Sequence, residues 1–208
     1  MPRAIPENPT EQLVQHYLDV FHADERYFLA DKAILELVEQ FRDNTTLQHI
    51  LLKVTAINDL YGTNIYATFK MAHHIHTLRI DPELAAASTD IVDKIAAVTF
   101  SDKPRNVFSF ASKYCSWHDP QNYPLYDYYV EKLLLAYRRK DKFAKFKNAD
   151  LRKYGHYKNI VSRFRDHYQL GRFSFKELDK FLWLYGRALY PKTYKRKGSL
   201  TRRSPGTV

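Results

Sequence analysis

The sequence has 208 residues, enough to bury a substantial apolar core in one domain. Its single cysteine, Cys115, excludes an internal disulfide and a thiolate cluster for zinc or iron–sulfur, and we expect it to be a packed residue rather than a nucleophile. No apolar signal segment and no run of about 18 apolar residues occurs. We therefore expect an intracellular protein that does not enter a membrane, cytoplasmic and nucleoid-associated if its source is prokaryotic.

The net charge of +10 is unevenly distributed. Residues 1–137 carry 12 Lys and Arg against 18 Asp and Glu, whereas residues 138–208 carry 21 against 5. A basic half of this kind favours binding to a polyanion, because Lys and Arg release counterions from phosphates. The basic segment 192–208 is either part of this surface or a solvated, disordered tail.

Apolar residues recur with helical spacing along almost the whole chain. The helices predicted in chain order cover residues 13–20, 34–41, 47–60, 63–78, 81–98, 101–115, 127–139, 157–168 and 174–189. Ser101 and Asp102 are expected to cap one of them, and Ser174 with Glu177 forms a capping box at the last. No segment alternates with a period of two. The sequence predicts an all-α domain over residues 1–191, with disorder at 1–9 and 192–208.

Three neighbouring histidines do not form a convincing metal site. In a helix only residues three or four apart share a face, so neither His73 and His74 nor His74 and His76 converge well on one ion. Sequences of the types GxxxxGK[ST] and GxGxxG are absent. We predict neither a metal nor a cofactor.

The stretch "NYPLYDYYVEKLL", residues 122–134, places one acid, Asp127, between a turn-forming Pro124 and an apolar helix. An acid at this point commonly caps the helix. The segment also resembles the surroundings of the catalytic aspartate in the helix-hairpin-helix DNA glycosylases, in which Pro, two residues, Asp, two residues and Val or Ile open an apolar helix. Pro124, Asp127 and Val130 have this spacing.

The resemblance extends upstream in the same order. "ILLKVTAINDLYGTNIYATFKMAHHI", residues 50–75, is similar to the family's long helix, its short turn that probes the duplex, and the next helix. Residues 101–115 occupy the place of the second helix of the hairpin. The usual hairpin glycines and cluster cysteines are missing, so the resemblance is to a divergent member without an iron–sulfur cluster.

The resemblance implies a two-lobed helical bundle with a groove, and an enzyme that flips a modified base out of double-stranded DNA and cleaves its N-glycosidic bond. Asp127 would stabilise the positive charge that develops on the sugar. If a lysine attacks the sugar, giving an associated AP lyase activity, the candidates are Lys103 and Lys113. Lys103 has phosphate contact as its alternative role.

The remaining residues implied by the resemblance fall into two groups. The base pocket is assigned Trp117, Tyr126 and Tyr128. DNA binding is assigned Tyr61, Gly62, Thr63, Asn64, Arg105, Asn106, Arg138, Arg139 and Lys158. We expect a monomer whose partner is a duplex with a modified base. The alternative is a helical DNA- or RNA-binding protein without catalytic activity.

Overall fold

Helices dominate the computed structural model, which describes residues 4–191, so the all-α prediction is confirmed. The described part contains ten α-helices, one short 3-10 helix and one two-stranded hairpin. In chain order these are α1 (Glu11–Ala23), α2 (Glu25–Gln40), α3 (Leu47–Tyr61), α4 (Thr68–Leu78), α5 (Asp81–Ala85), α6 (Asp90–Ala96), β1 (Ala97–Phe100), β2 (Lys103–Asn106), α7 (Phe108–His118), α8 (Tyr128–Asp141), the 3-10 helix (Asn148–Arg152), α9 (Tyr154–His167) and α10 (Phe175–Leu189).

Several helix ends follow directly from local side-chain chemistry. The predicted capping box opens α10, where Ser174 Oγ accepts from the Glu177 amide at 3.2 Å and a Glu177 carboxylate oxygen accepts from the Ser174 amide at 2.8 Å. Gly62 ends α3 with φ of 57°, in the left-handed region that glycine adopts without strain. These two signals were sufficient to predict both ends.

The segment before α7 differs from the prediction. Ser101 and Asp102 do not cap a helix; both have positive φ, 48° and 61°, and they form the two-residue turn of the β1–β2 hairpin. The strands pair antiparallel from Ala97 with Asn106 to Phe100 with Lys103. Helix α7 begins only at Phe108. The predicted helix over 81–98 is likewise divided into α5 and α6, with Ala87 at φ of 51° between them.

The two ends of the described chain meet. The Tyr185 hydroxyl accepts from the Glu7 amide at 2.7 Å, and the Tyr137 hydroxyl donates to the Glu7 carbonyl at 2.8 Å. Residues 4–9 are therefore held against α8 and α10, although the sequence predicts disorder for residues 1–9. The segment 192–208 lies outside the described residues. Within residues 4–191, no helix is long and apolar enough to cross a membrane.

One hydrophobic core runs through the described elements, and α8 packs directly on α10. Gly186 permits this approach: a Cβ at this position would lie 2.7 Å from the Tyr129 carbonyl oxygen, which is shorter than any normal contact. The first turn of α8 is thereby fixed against the last turn of α10. This contact sets the position of the site described next. The division of residues 1–191 into two lobes stays a prediction.

Candidate functional site

Asp127 is the N-cap residue of α8. Its Oδ1 accepts from the Tyr129 amide at 3.0 Å, which satisfies one of the free N–H groups at the start of the helix. Its Oδ2 lies 3.3 Å from the Lys113 Nζ. The carboxylate therefore has two functions in the fold, since one oxygen caps the helix and the other faces an amine.

Lys113 projects from α7 and is almost completely buried, with 2% of its side chain exposed. The Nζ also donates to Ser109 Oγ at 2.7 Å and to the Tyr126 carbonyl at 3.0 Å. Ser109 stands one turn earlier on the same helix face. The Lys113 amine is therefore in contact with three acceptors, one of which is a carboxylate that is 19% exposed.

Lys113 and Asp127 line a cavity of about 170 Å³. This volume is below the range of about 300–1,000 Å³ typical for drug-sized ligands, so it suits a single small ring system. An aromatic cluster forms part of the wall: the Phe21 and Tyr27 rings stack with centroids 5.3 Å apart, and Trp183 meets Tyr27 edge-on at 5.2 Å. The remaining lining residues are Ala30, Asp31, Leu60, Tyr61, Leu125, Lys176, Asp179, Lys180 and Arg187.

Tyr61 belongs to this cavity rather than to the exposed turn that follows it. Its hydroxyl donates to Asp31 Oδ1 at 3.1 Å, and burial together with Asp31 raises its pKa well above the usual value. The Lys113 Nζ lies 5.7 Å from the Tyr61 ring centroid. Tyr61 therefore faces the cavity in this structure, and its contact with DNA stays a prediction. Gly62 and Asn64 are exposed.

The cavity is also lined by four charged residues of α10 that were missed in the sequence: Lys176, Asp179, Lys180 and Arg187. The Lys176 Nζ lies 3.3 Å from the Trp117 ring centroid, and burial lowers the pKa of Lys176 to about 8. Asp179 Oδ2 accepts from the Leu125 amide at 2.7 Å, and burial raises the pKa of Asp179 well above its usual value. Asp179 sits on the apolar face of an amphipathic helix, and this was the available signal.

A second, larger hollow of about 840 Å³ is lined in part by Ser109 and Tyr126, the two residues that accept hydrogen bonds from Lys113 along with Asp127. Its lining includes the cations Lys103, Arg105 and Arg152. It also includes the predicted DNA-contact residues Thr63, Asn64, Arg105 and Asn106. We call this hollow the basic groove. Because Lys103 lies in the groove and Asp127 in the cavity, the structure places Lys113, and not Lys103, beside the carboxylate.

Within the part of the chain that the structure describes, the three aromatic residues predicted for the base pocket do not line the cavity. Trp117 is packed beneath Lys176, and Tyr126 lines the basic groove with its hydroxyl bonded to Glu131. Tyr128 is 41% exposed, with the Lys132 Nζ 5.2 Å from its ring centroid. The cavity takes its aromatic wall from α1, α2 and α10 instead, which are distant in sequence and gave no local signal.

The basic residues of α8 and α9 that were predicted to bind DNA line neither the cavity nor the basic groove. Arg138 donates to the Phe146 carbonyl at 2.6 Å and to Asn148 Oδ1 at 3.0 Å, so it fixes the following loop. Lys158 lies over the Tyr123 ring at 5.8 Å, and Arg139 is exposed. Their DNA contacts stay predictions.

The three histidines face different partners. His74 and His76 each contact a backbone carbonyl, of Lys94 at 3.1 Å and of Thr45 at 3.0 Å, while His73 packs on Phe69. Among residues 4–191, no group of three or more His, Cys, Asp or Glu side chains is arranged to hold a metal ion. Cys115 is buried, as predicted, and burial raises the pKa of its thiol.

Comparison with known proteins identifies the family. The model of HI_0787_N, described as an N-terminal domain, matches residues 13–122. The chain belongs to the HI_0787_N family. An uncharacterized protein of Haemophilus influenzae is 38% identical over 152 residues, which is 73% of each chain. No solved structure gives a significant match. The family match includes Tyr61 and Lys113 and ends before Asp127.

Proposed function

We propose that this member of the HI_0787_N family is a DNA glycosylase that excises a modified base with Lys113 as nucleophile and Asp127 as its acidic partner. The observation that carries the proposal is the 3.3 Å approach of Lys113 Nζ to Asp127 Oδ2 in the wall of a small aromatic cavity. The resemblance around Pro124 and Val130 gives the same acid the same role.

The chemistry follows from these two groups. Asp127 accepts the proton of the Lys113 ammonium, and the free amine attacks C1′ of the extruded nucleotide while the N-glycosidic bond breaks. The departing base takes the bonding electron pair together with the proton that Asp127 accepted, which restores the carboxylate. The carboxylate stabilises the positive charge that develops on the sugar. When the sugar ring opens, its ring oxygen takes a second proton from the attacking nitrogen, which leaves a protonated Schiff base on Lys113 that borohydride reduces to a stable amine.

The basic groove supplies a binding surface for the duplex. Lys103, Arg105 and Arg152 offer positive charge to phosphates, and the groove shares Ser109 and Tyr126 with the surroundings of the Lys113 amine. Tyr66, 95% exposed, lines the same groove beside Asn64. A nucleotide extruded from DNA bound there would reach the cavity by a short path.

The test is incubation with duplexes that each carry one modified base, followed by alkali or by borohydride trapping. The wild-type protein should cleave at least one substrate and form a trapped complex. Lys113→Gln should form none, because an amide does not make a Schiff base. Lys32→Gln is the matched control, since Lys32 is exposed on α2.

The second candidate function is DNA or RNA binding without catalysis, which the basic groove favours by itself. In that case Lys113 and Asp127 form a structural ion pair. Lys113→Gln and Asp127→Asn would then leave nucleic-acid binding unchanged, and the wild-type protein would release no base and form no trapped complex with any substrate. This outcome would replace the glycosylase proposal.

A further inference from the structure

Lys176 and Asp179 stand one turn apart on α10 and both line the cavity that holds Lys113. One side chain carries hydrogen-bond donors and the other carries acceptors. Neither is required for the attack on the sugar. They therefore add polar groups to a wall that also contains Phe21, Leu60 and Trp183.

Asp179 carries the decisive feature. Its side chain is buried, with 3% of the residue exposed, and Oδ2 is occupied by the Leu125 amide at 2.7 Å. Its Oδ1 is also buried but accepts no hydrogen bond from any side chain or amide in residues 4–191. A buried oxygen without a donor is unfavourable, and such groups in a pocket are commonly satisfied by a ligand.

Lys176 provides the complementary half. Its ammonium lies over the Trp117 ring and within 3.4 Å of the Tyr61 hydroxyl. Burial disfavours the charged forms of both α10 side chains, lowering the pKa of Lys176 and raising that of Asp179. A ligand that gives one donor to Asp179 and one acceptor to Lys176 would stabilise both charged forms together.

We propose, on the basis of the proposed base excision, that Lys176 and Asp179 select bases with a lactam edge, in which a ring N–H lies next to a carbonyl. The N–H donates to Asp179 Oδ1, and the carbonyl oxygen accepts from the Lys176 ammonium. The ring then packs against the aromatic wall of Phe21, Tyr27 and Trp183.

This edge divides the known types of modified base. 8-Oxoguanine, hypoxanthine and uracil have it, whereas adenine and 1,N6-ethenoadenine do not. Guanine and thymine share the edge, so discrimination against them depends on extrusion, which is least costly for a mispaired or damaged base. The substrate class is therefore a damaged or misplaced oxo-base, not an alkylated adenine.

The test uses Asp179→Asn, which preserves the shape of the side chain. Because the Leu125 amide requires an acceptor, the new amide oxygen faces Leu125, and its NH2 group replaces Oδ1 in the cavity. Excision of the lactam base should fall about 10- to 100-fold, the effect of one mispaired buried hydrogen bond. Borohydride trapping on a duplex with a preformed abasic site should stay at the wild-type level, because no base enters the cavity.

Lys176→Met is the second variant, since it keeps packing on Trp117 and removes only the donor; Asp166→Asn, exposed on α9, is the matched control. In both cavity variants excision of the lactam base should fall about 10- to 100-fold, whereas abasic-site trapping should be retained. Excision of lactam bases at the wild-type rate by both variants, or a wild-type preference for adenine or ethenoadenine duplexes, would overturn the inference while leaving Lys113 as nucleophile. Absence of abasic-site trapping in the wild-type protein would instead refute the proposed function.

Discussion

Replacing Asp127 by Asn and by Ala should separate its capping role from its catalytic role. Asn caps helices about as well as Asp, so Asp127→Asn keeps the bond from the Tyr129 amide. Ala provides no acceptor. Both changes remove the charge that lies 3.3 Å from Lys113.

The magnitudes follow from these contacts. Loss of one partner of a buried ion pair costs about 3–5 kcal/mol, but Asp127 is 19% exposed and Lys113 keeps two other acceptors, so we expect about 1–3 kcal/mol for Asp127→Asn. Asp127→Ala should lose about 1 kcal/mol more through the missing cap. For a chain of this size the two variants should then differ in Tm by about 2–4 °C.

The assay pairs thermal unfolding with base excision. Excision should fall at least about 100-fold in both variants, because both lack the charge that stabilises the sugar cation. DNA binding measured across salt concentrations should be unchanged in Asp127→Asn. Wild-type excision by Asp127→Asn would refute the catalytic role, and equal stability of the two variants would refute the capping role.

Three further outcomes are expected. Gly186→Ala should destabilise the fold by about 1–3 kcal/mol in denaturant unfolding, because its Cβ would lie 2.7 Å from the Tyr129 carbonyl; unchanged stability would show that α8 and α10 can separate. Lys103→Gln should weaken DNA binding for all sequences and reduce the salt slope by about one, with abasic-site trapping retained; lost trapping would return the nucleophile to Lys103. Burial lowers the pKa of Lys53 to about 8. Between about pH 8 and 10 the unfolded chain therefore binds more protons at Lys53 than the folded chain does. As a result, the contribution of Lys53 to the free energy of unfolding rises with pH over this range. Lys53→Met should therefore show a smaller rise in denaturant midpoint over that range, and an equal rise would contradict the assignment.

The helical architecture was predictable because its signals are local. Apolar spacing, the Ser174–Glu177 capping box and the terminating Gly62 each act within one or two turns. The β1–β2 hairpin was not predictable in the same way. Its strands are four residues long, and its turn places Ser101 and Asp102 in the left-handed region, where helix-capping residues and turn residues look alike.

The site was only partly predictable. Asp127 was identified by the motif that surrounds it. Lys113 was one of two candidates, because the length of the loop before Pro124 leaves the spacing between the lysine and Asp127 open. The partners on α10 were hidden by distance, since Lys176 and Asp179 follow Asp127 by about fifty residues and meet it only through the packing of α8 on α10. An aspartate on an apolar helix face, such as Asp179, is the one sequence signal that pointed to them.

The most direct measurement of the central claim is the location of the borohydride-reduced adduct. The wild-type protein is incubated with an abasic-site duplex and borohydride, digested, and analysed by mass spectrometry. The account predicts a reduced sugar adduct on the peptide containing Lys113 and none in Lys113→Gln. An adduct on Lys103 or Lys176, or no adduct in the wild-type protein, would contradict it.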